Sequence, residues 1–218
     1  MGTVSLHAIG IDELRDAFAG TDAAVGRLRS LALATWPPED RPGRGSLLSK
    51  LGPFSRQAVG APVVRPEIPT GRDVDDVAHG REVPPDRRTA AWALVDAVIA
   101  DTAWDSLALP ADDRTIDDLD FALASAGLPS RYGLRQLFDR PTGIPVKKLP
   151  GMADGYVHRD RAEAMASAWT AALPDLAPSA APLARRITQW LAGFPVWAAS
   201  ADEAGRPAPD LVVWYRPD

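Results

Sequence analysis

Apolar and polar positions alternate from Thr3 to Ile9, with Val4, Leu6 and Ala8 on one side and His7 on the other. This period of two, rich in β-branched residues, predicts a strand. From about Asp12 the period changes. Leu14, Phe18, Val25, Leu28 and Leu31 follow helical spacing, with a break at Gly20-Thr21-Asp22. Gly20 suits a helix C-terminus and Thr21 or Asp22 an N-cap. At the far end, Asp210-Leu-Val-Val-Trp-Tyr215 is a short apolar run after a Gly/Pro turn, again a strand. Both ends of the chain therefore predict strands that pair across helical material.

Between Trp36 and Arg88 regular periodicity stops. Nine of the 21 prolines fall here, and each removes a backbone donor and fixes φ. Leu47, Leu48, Leu51, Phe54, Val59, Val63, Val64 and Ile68 nevertheless recur, so the stretch predicts an ordered irregular excursion from 36 to 88, with a short helix near Ser46 to Leu51. Within it, Thr70-Gly-Arg-Asp73 has capping-box spacing and Gly80 offers a stop.

The clearest helix follows, capped by Asp86 and carrying Trp92, Val95, Val98 and Ile99. Thr115-x-x-Asp118 predicts the start of another, ending near Gly127, and a short helix is expected from Ser130. Gly143 to Lys147 reads as an edge strand at best, because Pro141 and Pro145 limit it. Gly155-Tyr-Val leads as a strand into a helix from about Asp160 to Leu173. Helices from Ser179 to Leu191 and Val196 to Ala204 complete the pattern. The fold class expected is α+β: one mostly helical domain spanning 1–218, with a small antiparallel sheet joining its terminal strands.

Composition narrows the chemistry. The 218 residues are 46% hydrophobic and 24% charged, ordinary values for a soluble chain large enough to fold without disulfides. No cysteine is present, which excludes thiol chemistry and suits a reducing cytoplasm. The first ten residues lack a signal-peptide pattern, and nowhere do roughly 18 apolar residues run consecutively. No membrane association is expected. A net charge of −5, with no basic stripe, argues against a nucleic-acid partner. The abundance of Ala, Arg, Asp, Gly and Pro suggests a GC-rich genome.

The only histidines are His7, His79 and His158. Asp75 and Asp76 stand four and three residues before His79, on one helix face, where a carboxylate could orient an imidazole as a general base. Helix-end electrostatics account for the same residues, since the macrodipole favours acids early and a cation late. His158 lies at a strand-to-helix junction with Arg159 and Arg161, a setting that suits an anion. A charge-balanced helix start with Asp160 and Glu163 is the plainer account. His7 reads as a sheet-face residue. Of the seven tryptophans, Trp92, Trp104, Trp169, Trp190 and Trp214 fall at core positions, whereas Trp36 and Trp197 sit beside prolines and could line a cleft. The acidic run from Asp112 to Asp120 lacks the EF-hand pattern, and no metal site or cofactor is expected.

Leu6-His-Ala-Ile-Gly-Ile-Asp12-Glu-Leu-Arg15 with Gly20-Thr-Asp22, together with Pro150-Gly151, Gly155-Tyr156, Trp190-Leu191 and Leu211-Val-Val-Trp-Tyr215, resembles an actinobacterial family known only as a domain of unknown function. The resemblance covers the two ends and implies an intracellular α+β domain. The Pro-rich excursion departs from it, and it carries over no catalytic residue. Two functional readings follow. One is a non-catalytic cytoplasmic interaction or regulatory protein with a protein partner. The other is a cofactor-independent enzyme or binder of a small anionic molecule, with His158, Asp76, His79, Arg159 and Arg161 as candidate groups.

Overall fold

A computed structural model describes residues 2–37 and 65–217. The terminal strands β1 (Gly2–Ile9) and β4 (Asp210–Pro217) pair antiparallel over their full length, from Gly2 opposite Pro217 to Ile9 opposite Asp210. β2 (Asp105–Pro110) adds to the free side of β1, and β3 (Ala153–Val157) to the free side of β4. The sheet order is β2-β1-β4-β3, antiparallel throughout.

The two-residue alternation gives this sheet two buried faces. Val4, Leu6, Ala8, Leu109, Leu211, Val213 and Val157 share a core with α5 (Asp113–Ser125), α6 (Arg159–Ala172), α7 (Ala181–Leu191) and α8 (Phe194–Glu203). Ile9, Val212, Trp214 and Tyr156 face the opposite core, built with α1 (Ile11–Asp16), α2 (Asp22–Thr35), α3 (Gly71–Ala78) and α4 (Arg88–Thr102). Helices thus cover both faces of a four-stranded sheet, with one hydrophobic core on each side. Trp92 packs edge-on against Trp214, ring centroids 5.5 Å apart, where α4 crosses β4.

Local signals place several helix ends. Thr70 and Asp73 form the reciprocal capping box at α3, and Gly80 follows with φ +62°. Thr21 caps α2 through the Ala24 amide. Two starts differ from the sequence expectation. α5 begins earlier, because the Asp112 carboxylate accepts both the Thr115 amide and its hydroxyl. A carboxylate is the stronger acceptor at a positive helix terminus, so Asp112 takes the capping role from Thr115. α4 begins at Arg88 after a 3₁₀ turn over Pro85–Arg87, which absorbs Asp86.

Residues 143–147 form no strand. The neighbouring segment instead runs along the outer edge of β3, where the Tyr156 amide donates to the Arg140 carbonyl and Thr142 donates to Asp154. Gly155 is required by this approach, since a Cβ there would sit on the Leu137 carbonyl oxygen. The short helix expected near Ser46–Leu51 lies outside the described residues. No helix among the described residues is long and apolar enough to cross a membrane.

Candidate functional site

β1, β3 and β4 bring three loops together where β1 and β3 end and β4 begins. Asp210 is the first residue of β4, opposite Ile9 at the end of β1. α1 and α6 start directly after β1 and β3, so their first amides point at one place. The Asp210 carboxylate fills it. Its Oδ2 accepts from the Ile11 amide at 3.0 Å, and its Oδ1 accepts from the Arg159 amide at 3.1 Å. One side chain therefore satisfies an amide at each of two helix starts, where acidic groups are favoured.

His158 precedes α6 and places Nδ1 3.2 Å from Asp210 Oδ1. Its other nitrogen, Nε2, lies 3.0 Å from Arg140 Nη1. Arginine has no acceptor, so Nε2 must receive the hydrogen bond and Nδ1–H must face the carboxylate. The tautomer is set by its two neighbours. Beneath them lies the Tyr156 ring, 2% exposed, edge-on to His158 at 5.4 Å. The Arg140 guanidinium is 4.5 Å from the Tyr156 centroid and that of Arg15 is 5.1 Å from it, both within cation–π range. Arg15 Nε donates to the Thr142 carbonyl and Nη1 to Asp12, which fixes the loop above α1.

The hydrogen-bond inventory is lopsided. Asp210 uses both oxygens and His158 both nitrogens. Arg140 spends one N–H on the imidazole, and no described carboxylate lies within 4 Å of its guanidinium. What remains unspent around Tyr156 is donor capacity on a cation.

A family model matches residues 1–216 of the chain. The chain belongs to the family described as Domain of unknown function (DUF7691). No curated protein and no solved structure matches it.

The other residues singled out in this DUF7691 domain are spread apart. Arg159 lies near Asp160 and Glu163 of its own helix, at 3.5 and 3.6 Å, and Arg161 donates to the Arg131 carbonyl. The arginine that reaches His158 is Arg140, which comes from a loop eighteen residues earlier. His79 is exposed at the end of α3, with Nδ1 2.8 Å from the Asp75 carbonyl. Asp76 turns instead to Arg81 at 2.7 Å and Arg72 at 3.5 Å. Trp36 packs on one core and Trp197 on the other, in an aromatic group with Trp190 and Phe194. Trp36 and Trp197 therefore do not share a cleft. Among the described residues, no three His, Asp or Glu side chains are grouped to hold a metal ion.

Asp210, Arg140 and Arg15 carry no local sequence signal. Asp210 joins His158 only through the register of β4, and Arg140 only through the path of its loop along β3.

Proposed function

We propose that this DUF7691 domain is a non-catalytic, cytoplasmic binding protein of regulatory type, and that it takes a small anionic molecule at the Arg140–His158 pair. The observation that carries this reading is the unspent donor capacity of Arg140. Both Asp210 oxygens and both His158 nitrogens already have partners, whereas the remaining guanidinium N–H groups of Arg140 have none among the described residues. Such a group recognises acceptors, and a carboxylate or phosphate satisfies it bidentately. His158 is 57% exposed in its side chain and Asp210 only 15%, which puts the arginine and imidazole outward and the carboxylate inward.

Binding suits this cluster better than catalysis does. The imidazole Nε2 lone pair, which a general base would need, is occupied by Arg140. An anion that draws Arg140 toward itself releases that nitrogen, so ligand binding is coupled to the His158 hydrogen bond. The cysteine-free sequence supports the cytoplasmic placement, and the alanine- and arginine-rich composition fits an actinobacterial source.

Titration with inorganic phosphate, at ionic strength matched with sodium chloride, tests the reading. Saturable binding is expected, with a shift of the His158 imidazole ¹⁵N resonances. Arg140→Gln should weaken it at least roughly tenfold, the loss of one charged hydrogen-bonding pair. Arg114→Gln, on the exposed face of α5, should leave it unchanged. Equal phosphate affinity in wild type and Arg140→Gln would rule the site out.

A further inference from the structure

Ser106, His7, Val212 and Tyr156 form one cross-strand row, from β2 through β1 and β4 to β3, on the face covered by α4. Tyr156 ends the row at the anion site. Ser106 ends it at the opposite edge, three strand spacings or roughly 14 Å away. There α4 stops short of β2 and leaves a groove of about 430 Å³, lined by His7, Asp96, Ile99, Ala100, Ala103, Asp105 and Ser106. That volume lies in the range of small-molecule sites.

We propose that this groove binds a protonated organic amine, with Asp105 and Ser106 holding the ammonium and Ile99, Ala100 and Ala103 packing its apolar body.

His7 is the first argument. It is 8% exposed, its ring is tilted on Trp214 at 5.2 Å, and Nδ1 lies 2.8 Å from Ser106 Oγ. Nε2 is shielded from solvent and has no hydrogen-bond partner. A buried N–H left unpaired is rarer than an under-satisfied acceptor, which favours Nδ1–H donating to Ser106. The exposed Ser106 oxygen then keeps capacity to accept a ligand N–H. The His7–Ser106 contact thus leaves the Ser106 oxygen as a polar group of the groove.

Charge is the second argument. Asp96 is paired bidentately with Arg216, both bonds at 2.6 Å, so those two charges offset each other. The Asp105 carboxylate accepts only the neighbouring Ser106 amide, with no cation of a described residue within 4 Å. The groove therefore keeps a negative excess, and a cation relieves it. The groups facing His7 are Arg216 from β4, Asp96 from α4 and Asp105 from β2.

A serine 2.8 Å from an imidazole also has the geometry of a nucleophile with its base. Basicity decides against that use. Burial, reinforced by the nearby Arg216, holds the His7 imidazole down at about 4. A base so weak does not take a serine proton at neutral pH, whereas a neutral imidazole tolerates an adjacent ammonium. The pair recognises rather than reacts.

Titration of the full chain with n-butylammonium chloride tests the proposal, followed by NMR at His7 and Ser106. Saturable shifts are expected, with a dissociation constant in the roughly millimolar range of a small ligand. n-Butanol at the same concentrations should produce none. Asp105→Asn, an exposed and conservative change, should weaken the amine at least fivefold, on the order of one lost charged contact. Arg140→Gln should leave it intact, which separates this groove from the anion site. An N-acetyl-lysine amide arm distinguishes the source. Tighter binding than butylammonium identifies a lysine side chain on a partner, and weaker binding a free amine. No saturable shift in the wild type, or an unchanged affinity in Asp105→Asn, overturns the proposal.

Discussion

Asp210 Oδ1 lies 3.2 Å from His158 Nδ1 while the same carboxylate accepts the first amides of α1 and α6. The site histidine and two helix starts thus depend on one side chain. Asp210→Ala should leave both amides without this acceptor and free the imidazole to rotate. A cost of roughly 1–3 kcal/mol is expected, in line with a lost cap and unpaired polar groups. Urea denaturation measures it, and amide exchange should quicken at Ile11 and Arg159 together. A change in only one of the two amides would mean that they do not share the carboxylate as an energetic unit.

His7 makes a second prediction, on pH. Its imidazole is held near 4 by burial and by Arg216, against 6.5 for a free histidine. Above pH 6.5 it is neutral in both folded and unfolded chains and does not affect the balance. As pH falls from 6.5 to about 4, the unfolded chain binds the proton and the folded one does not, so stability declines. Below that window both forms are charged and the decline from this residue stops. The full span amounts to roughly 3 kcal/mol. Denaturation curves of wild type and His7→Gln should diverge in slope between those limits, with the variant flatter. Parallel curves would assign the acid sensitivity to other groups.

Three of the four strands are legible in the sequence. β1 shows in the sequence through its β-branched apolar alternation and β4 through its short continuous apolar run, and their pairing follows from having both ends flank helices. β2 does not. Its six residues hold a two-residue period only at Leu107 and Leu109, and in sequence the apolar pattern of α4 runs on into Trp104. Capping chemistry reads well where it is contained within four residues, as at Thr70 and Asp73. It misleads where a stronger acceptor stands nearby, as Asp112 does beside Thr115. For the site, His158 at a strand-to-helix junction was visible. Its partners were not, because Arg140 and Asp210 reach it only through a loop path and a strand register. His7 was seen as a sheet-face residue, yet its neighbour Ser106 belongs to the strand that the periodicity hides.

The acidic run of α3 makes the last prediction. Asp73, Asp75 and Asp76 look alike in sequence, but each meets a different arginine, respectively Arg87, Arg29 and Arg81. The Asp73 pair is the buried one, at 2.6 Å with side chains 5% and 12% exposed. Arg87 also donates to the Arg65 and Ile68 carbonyls, so it ties the segment before α3 to the turn before α4. Burial alone would raise the Asp73 carboxyl. Hydrogen bonds from Arg87 and Thr70 outweigh it and hold the group below the ordinary carboxylate value of 3.8. A depressed carboxyl stabilises the fold fully above that ordinary value, and the contribution is lost as pH falls through the folded-state value. Arg87→Ala leaves the carboxylate buried without its cation and should cost roughly 3–5 kcal/mol. Asp73→Asn should remove the acid-side loss while destabilising the neutral-pH fold, since the amide cannot replace the charge facing Arg87. Combining the two should cost less than their sum, because each change removes the charge that the other leaves stranded. Additive losses in that double-mutant cycle would show that the pair is not energetically coupled and that the capping box alone holds α3.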